Sequence, residues 1–269
     1  MSITVSAMYV YPVKGCRGVP VSEAEVGPRG LAGDRLWMWV DADGRFLSQR
    51  SHPQMAQVDT EIIEGGVKLS APGIGAVSVS APAGDGLKRT VQVWSSTLEA
   101  LVAPEAEAWG KALFGVEAHL VHLGEGCKRP LKPSRGQPGD EVSFADGYPV
   151  LLASEASLAA LNGWIAETGR DPVPMARFRP NVVITGEIEP FAEDEWPVLE
   201  LGGVRFQGGA PCERCTVTTL DQQTGQKHDG EPLITLARHR RWDNKVFFGV
   251  NLVPRAYGML RRGDACVLN

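Results

Sequence analysis

Hydrophobic and polar residues alternate with period two in short runs through the first part of the chain: ITVSAMYVY, VPVSEAEV, RLWMWVDA, RFLSQ, GVKLSA, AVSVSA and TVQVW. Such runs, rich in β-branched and aromatic residues and punctuated by Gly, Pro and Asp-Gly, predict half-buried strands. Asp43 and Gly44 stand between RLWMWVDA and RFLSQ; both tolerate positive φ, so a hairpin joining two strands is expected there. This half reads as an antiparallel sheet or barrel.

The period changes at 104–115, where PEAEAWGKALFG spaces its apolar residues helically, and VEAHLVHL then returns to strand alternation. GEGCKRPLKPSRGQPGDE (124–141) has no period and is rich in Gly, Pro and cations, which predicts a long exposed loop. Ser154 is a favoured N-cap and opens a helix over SEASLAALNGWIAE. Strands follow in RPNVVITG and VLELGGVRFQGG, then a hairpin in CERCTVTTLDQQTG and a short helix near EPLITLARHRRW. Two further strand regions, KVFFGVNLVP and GMLRRGDACVLN, close the chain. The expected fold is mainly β with peripheral helices, of the α+β class.

A chain of 269 residues is long enough for one large domain or two modest ones. With 27 Lys and Arg against 32 Asp and Glu, the net charge is -5, so no global basic excess advertises a nucleic-acid polymer. Any anionic ligand must be met by local cations. The N-terminus lacks the basic-then-apolar pattern of a secretory leader, and no apolar run approaches a membrane span. Five cysteines (Cys16, Cys127, Cys212, Cys215, Cys266) make a disulfide framework an unattractive reading. Together these place the protein, as an expectation, in the cytoplasm.

Cys212 and Cys215, in PCERCT, invite three chemical readings. Zinc needs four ligands. The nearest histidines, His119 and His122, lie three apart in a strand-like run and so point to opposite faces. A thioredoxin-like pair sets its first cysteine at a helix N-terminus, whereas TVTTL after Cys215 reads as strand. Two buried core cysteines remain a plain structural alternative. Arg214, between the two thiols in sequence, tilts against it, because a nearby guanidinium favours a thiolate.

Arg179 and Asn181 in FRPN stand at the entrance of an apolar strand, where a cation and an amide could grip a phosphate or polar ring; a surface ion pair is the commoner use of such an arginine. Lys14 and Arg17, interleaved with Gly15 and Gly18, form a turn whose amides and cations could receive an anion. Ser154, Glu155 and Ser157 could cap a helix or meet an anion at its start. Asp34, Arg35, Asp221, Thr224 and Gly225 look like turn chemistry, and His228 and His239 like surface or core residues. Neither a GxGxxG nor a P-loop pattern is present, and no Ser/His/Asp order suggests hydrolysis.

YPVKGCRG, GDRLWMWVD, SEASLAALN, FRPNVVITG, FAEDEW, PCERCTVTTLDQQTG and GMLRRGDACVL, in this order, resemble one family. It is the molybdenum-cofactor sulfurase C-terminal (MOSC) domain preceded by its N-terminal β-barrel partner, as in the amidoxime-reducing component proteins and their bacterial relatives. The resemblance implies an N-terminal MOSC-associated β domain over 1–118 and a MOSC β-barrel over 119–269. It implies that Cys215 is the ligand of a molybdenum cofactor (molybdopterin), with Cys212 its neighbour. Lys14, Arg35 and Arg179 are then expected to contact the anionic pterin, with Gly15, Ser154 and Asn181 as further contributors.

Two positions depart from the family pattern. Gly15 stands where Ser is usual, and Val250 in FGVN where Gln is common. The implied activity is reduction of small N-hydroxylated compounds such as hydroxylamines, amidoximes or N-hydroxylated base analogues. The alternative is a carrier that bears a persulfide or the cofactor on Cys215. Some bacterial relatives carry a C-terminal ferredoxin domain that this sequence lacks. A separate electron-donor protein, ferredoxin- or cytochrome-like with its reductase, is therefore expected.

Overall fold

The computed structural model describes residues 2–124, 126–227 and 229–268; His228 lies outside the described residues. Its largest sheet runs in the order Cys266–Leu268, Val198–Leu201, Val204–Glu213, Lys245–Pro254, Val150–Ser154, Val182–Thr185, Thr4–Val10 and Val19–Val21. Arg241–Trp242 hangs on Lys245–Pro254. Its pairs are antiparallel except Val150–Ser154 with Val182–Thr185. That parallel pair needs a crossover, and helix α2 (Glu155–Ala166) lies between the two strands in sequence, the helix that the Ser154 signal predicts.

A second sheet orders Trp37–Asp41, Ala118–His122, Ser96–Val102 and Lys88–Val93. Asp59–Ile63, Gly66–Ala71 and Gly75–Ser80 make a three-stranded meander, and Glu23–Gly27 pairs with Gly30–Leu31 and Gly258–Arg261. Helix α1 (Glu107–Phe114) ends at Gly115 in the left-handed conformation, the usual glycine stop. Helix α3 is Leu233–His239. The protein is thus mainly β with helices at its margins. No helix among the described residues is long and apolar enough to cross a membrane.

Burial follows the alternation. Val5, Met8 and Val10 pack with Leu152, Ile184, Phe206 and Leu252 in one core. Trp39, Met55, Leu69, Leu113 and Leu120 form another. The first strand of the chain therefore completes a sheet made mostly by the second half, while Ala118–His122 belongs to the sheet of Trp37–Asp41.

Three local expectations change. RFLSQ forms no ladder: Gly44 turns the chain at φ 80°, but only isolated bridges follow, Val40 to Phe46 and Arg45 to Gln92. TVTTL is not a strand; Thr216–Thr219 is a 3-10 turn. The hydroxyls of Thr218 and Thr219 close onto the carbonyls of Cys215 and Thr216, three residues back, at 2.9 and 2.8 Å. Local side-chain bonds of this kind let threonine leave extended structure. The described residues of 124–141 are irregular as expected but not wholly exposed. Arg129 is buried and donates to the carbonyls of Ser143 and Ala145 at 2.7 and 2.5 Å.

Candidate cofactor site

The chain leaves Thr4–Val10 through Tyr11, Pro12 and Val13 and reaches Lys14 and Gly15 at the floor of a cleft. The cleft is open to solvent and has a cavity volume of about 180 Å³, more than a metal ion alone would need. Gly15 has φ 83°, and a Cβ there would lie 2.8 Å from Met55 Cε. The backbone conformation favours glycine, and any side chain there would need the flexible end of Met55 to shift. The end of the Met55 side chain occupies the space that the serine of the family pattern would enter, and would have to swing aside for it.

Lys14 is buried; its Nζ donates to the Phe144 carbonyl at 2.8 Å and pairs with Asp146. Burial pulls the Lys14 ammonium below its ordinary value, and Asp146 works against that pull. The Asp146 side chain is largely exposed, and what desolvation its surroundings impose would raise the carboxyl. Lys14, the Trp94 indole N–H at 3.0 Å and the field of Arg50 prevail and hold it below the usual carboxylate range.

Arg35 and Arg179 occupy the left-handed region at φ 50° and 56°. For a residue with a Cβ this costs roughly 1–2 kcal/mol, so the surroundings must hold both in place. Their guanidinium carbons lie 4.2 and 4.3 Å from the Tyr11 ring centroid, close enough for cation–π attraction. Burial pushes the Tyr11 phenol up to about 12, against the lowering effect of both arginines, and its hydroxyl donates to the Pro180 carbonyl. Arg35 donates to Asp34 at 2.6 Å, Asn181 Oδ1 at 2.9 Å and the Arg179 carbonyl at 3.3 Å.

Asn181 lines the cleft but does not reach into it. Its amide donates to Asp34 and the Tyr9 carbonyl, and its oxygen accepts from Arg35 and the Leu151 amide. Those four bonds use its capacity, so it supports Arg35 from behind. Ser154, expected at the ligand, is absent from the cleft lining. It is fully buried, caps α2 through the Ser157 amide, and donates from its hydroxyl to Glu193. Strand parity explains this: Leu151 faces the cleft, and a residue three positions on faces the other side.

Val204–Glu213 carries Cys212 near its end, within the second of two register shifts against Lys245–Pro254. Arg214 donates to Cys212 Sγ at 3.0 Å and to the Phe178 carbonyl at 2.7 Å, so its guanidinium serves Cys212 and not both thiols. Cys215 is exposed at the start of the Thr216–Thr219 turn, and its sulfur receives Arg50 Nη1 at 3.5 Å. The thioredoxin arrangement is still not formed, because the first cysteine lies in a strand. His119 is held between Glu107 and Glu117, and His122 packs on Trp37. Val250 packs in the main core, while the next residue, Asn251, lines the cleft. His239 stacks on Trp164.

The structure thus brings Lys14, Gly15, Arg35, Arg179, Asn181 and Cys215 to one cleft. Arg50, Asp146, Gln49 and Arg214 join them there, with Tyr11 and Trp94 in support. Gln49 was hidden in a run that reads as strand and Arg50 directly after it, and Tyr11 in one that reads only as core.

Residues 2–117 match the MOSC N-terminal beta barrel domain and residues 139–267 match the MOSC domain. The chain belongs to the MOSC family. It is 32% identical to the human protein "Mitochondrial amidoxime-reducing component 1", over 98% of this chain and 82% of that protein. A rat protein, "Mitochondrial amidoxime reducing component 2", is also 32% identical, over 97% and 82%. The zebrafish (Danio rerio) "Molybdenum cofactor sulfurase" is 32% identical over 95% of this chain but only 32% of its own length. In this MOSC protein the two matched segments meet at the cleft, where Lys14, Arg35 and Arg50 come from the first and Arg179 and Cys215 from the second.

Proposed function

We propose that this MOSC protein is a molybdoenzyme that reduces small N-hydroxylated compounds, with molybdopterin held in the cleft and Cys215 as the protein ligand to molybdenum. The observation that carries this reading is an exposed thiol sharing one cleft with Lys14, Arg35, Arg50 and Arg179. The names of the amidoxime-reducing relatives agree with it. The donor set fits the group. A soft sulfur suits a metal already bound by dithiolene sulfurs, guanidiniums suit a phosphate, and the buried Arg214 Nε has no partner among the described residues.

When bound, the metal supplies Lewis-acid and two-electron redox chemistry, converting N–OH with two electrons and two protons to N–H and water. The protein supplies the rest. Arg179 and Arg35, pinned by Tyr11, Asp34 and Asn181, present fixed positive charge to the anionic end of the pterin. Lys14 and the Gly15 backbone form the floor. Arg50 lies against the ligand sulfur, and Phe46, Leu47 and Phe178 give the cleft an apolar lining that limits water. Asp146, held ionised by Lys14 and Trp94, is a poor proton donor near neutral pH. Protons would therefore enter from solvent through the open mouth. Electrons would come from a separate ferredoxin- or cytochrome-like donor with its reductase. The proposed location is the cytoplasm.

The sulfurase relative favours one other reading, a carrier in which Cys215 holds a persulfide or passes the cofactor on. Elemental and pterin analysis of protein made in a cofactor-competent host, with an N-hydroxy reductase assay driven by an artificial donor, separates the two. The enzyme reading expects near-stoichiometric molybdenum and pterin with turnover. Protein without molybdenum overturns it, and loaded protein without turnover favours the carrier.

A further inference from the structure

The hairpin around DQQTG, which the sequence presents as a plain turn, is docked beside the cleft by contacts far apart in the chain. Arg17 Nη2 donates to the carbonyls of Gln222 and Gln223 at 3.3 and 3.2 Å. Gln57 donates to the Thr224 carbonyl at 2.7 Å, and a Cβ on Gly225 would lie 2.8 Å from the Pro53 carbonyl oxygen. At its inner end two amides bond reciprocally: Gln49 Nε2 to Gln222 Oε1 at 3.1 Å, and Gln222 Nε2 to Gln49 Oε1 at 3.0 Å.

Each amide has a second task. Gln49, itself buried, donates to the Gly15 carbonyl at 2.7 Å and so fixes the left-handed turn beside Lys14. Gln222 Oε1 accepts from Arg179 Nη1 at 3.4 Å. One amide pair therefore ties the Lys14–Gly15 floor to the Arg179 wall, joining residues 15 and 49 with residues 179 and 222. The charge of this device matters as much as its shape. Arg35 meets a carboxylate in Asp34, and Lys14 meets one in Asp146. Arg179 is oriented by a neutral oxygen, which steers the guanidinium without cancelling its charge.

We infer that Gln222 is a positioning residue that aims Arg179 at the anionic part of the bound cofactor while leaving that guanidinium without a directly bonded carboxylate among the described residues. This rests on the function proposed above, and Gln222 need not touch the cofactor itself. A carboxylate of the same size at this position would pair with Arg179, holding the fold together at least as well while competing with the ligand's own negative charge. Methionine would remove the amide pair without adding charge.

The test compares wild type, Q222E and Q222M, reading pterin released per protein as its fluorescent oxidation product, and the melting temperature of each. Pterin content should fall by about tenfold in Q222E and by a smaller factor in Q222M. A purely structural role would instead make pterin content follow melting temperature. The deciding measurement repeats Q222E in an R179Q background, where the charge to be cancelled is gone. There the glutamate should lower pterin content less than about twofold, the non-additivity of residues that act on each other. Equal content in wild type and Q222E overturns the inference, as does an undiminished effect of Q222E beside R179Q. Wild-type protein without pterin overturns the function proposed above and this inference with it; loaded wild type with equally loaded Q222E sinks this inference alone.

Discussion

On the wall built from Tyr11, Asp34, Arg35 and Asn181, the polar groups are tied down. Asp34 is buried, Asn181 makes four hydrogen bonds, and Tyr11 carries two guanidiniums on its ring. The region around Cys215 differs: the thiol is exposed, its turn is four residues long, and its sulfur takes one long contact from an exposed arginine. The first region carries its strain and burial internally and presents fixed charge. The second leaves the reactive atom open. A site that must receive a large anion and bind a metal needs both kinds of wall, since preorganised charge lowers the cost of binding and an open ligand permits it.

The sharpest way to break this comparison is at the sulfurs. Cys215→Ala should abolish molybdenum content and turnover, whereas Cys212→Ala, which removes a sulfur already engaged by Arg214, should retain most of both. Equal losses in metal analysis would undo the distinction. The buried network should fail differently. Asp34→Ala strands Arg35 and half of the Asn181 amide, and should cost about 3 kcal/mol in urea unfolding even without cofactor. A loss below about 1 kcal/mol would mean the wall is not a stability element.

Charge presentation comes next in size. Arg179→Ala and Lys14→Ala should each lower pterin retention by about tenfold, since cofactor charge is left less compensated. Unchanged retention in both would remove the pocket described here.

The smallest effect is a pH dependence. Asp146 has a folded-state value below its unfolded one, so its contribution to stability is complete above the ordinary carboxylate range and is lost as pH falls below it. Asp146→Asn should flatten the acid limb of melting temperature against pH below about 4 and leave its neutral limb parallel to that of wild type. A limb of unchanged slope would mean that Lys14 holds no such carboxylate.

Strand alternation made most of the sheets legible; residue patterns singled out Lys14, Arg179 and Cys215, the family resemblance added Arg35 and joined them in one site, and the four do share a cleft. What stayed hidden has a common cause. Arg50 reaches Cys215 across 165 positions, and Gln49 reaches Gln222 across 173, and no local pattern marks either pair. Ser154 was legible as a cap but not as a residue facing away, because the direction of a side chain depends on where its strand sits in the sheet. Asn181 was legible as polar at a strand entrance, but its four partners come from three separate segments. TVTTL misleads because threonine's β preference yields to hydroxyl bonds that only the folded turn makes available.

Gly15 and Met55 carry a consequence for how this sequence can change. Serine at position 15 would require the end of Met55 to swing aside, and a smaller residue at 55 alone would open space beneath the cleft. The two positions are therefore neighbours in sequence change: a shorter side chain at 55 would ease the serine form, while the left-handed backbone at 15 would still favour glycine.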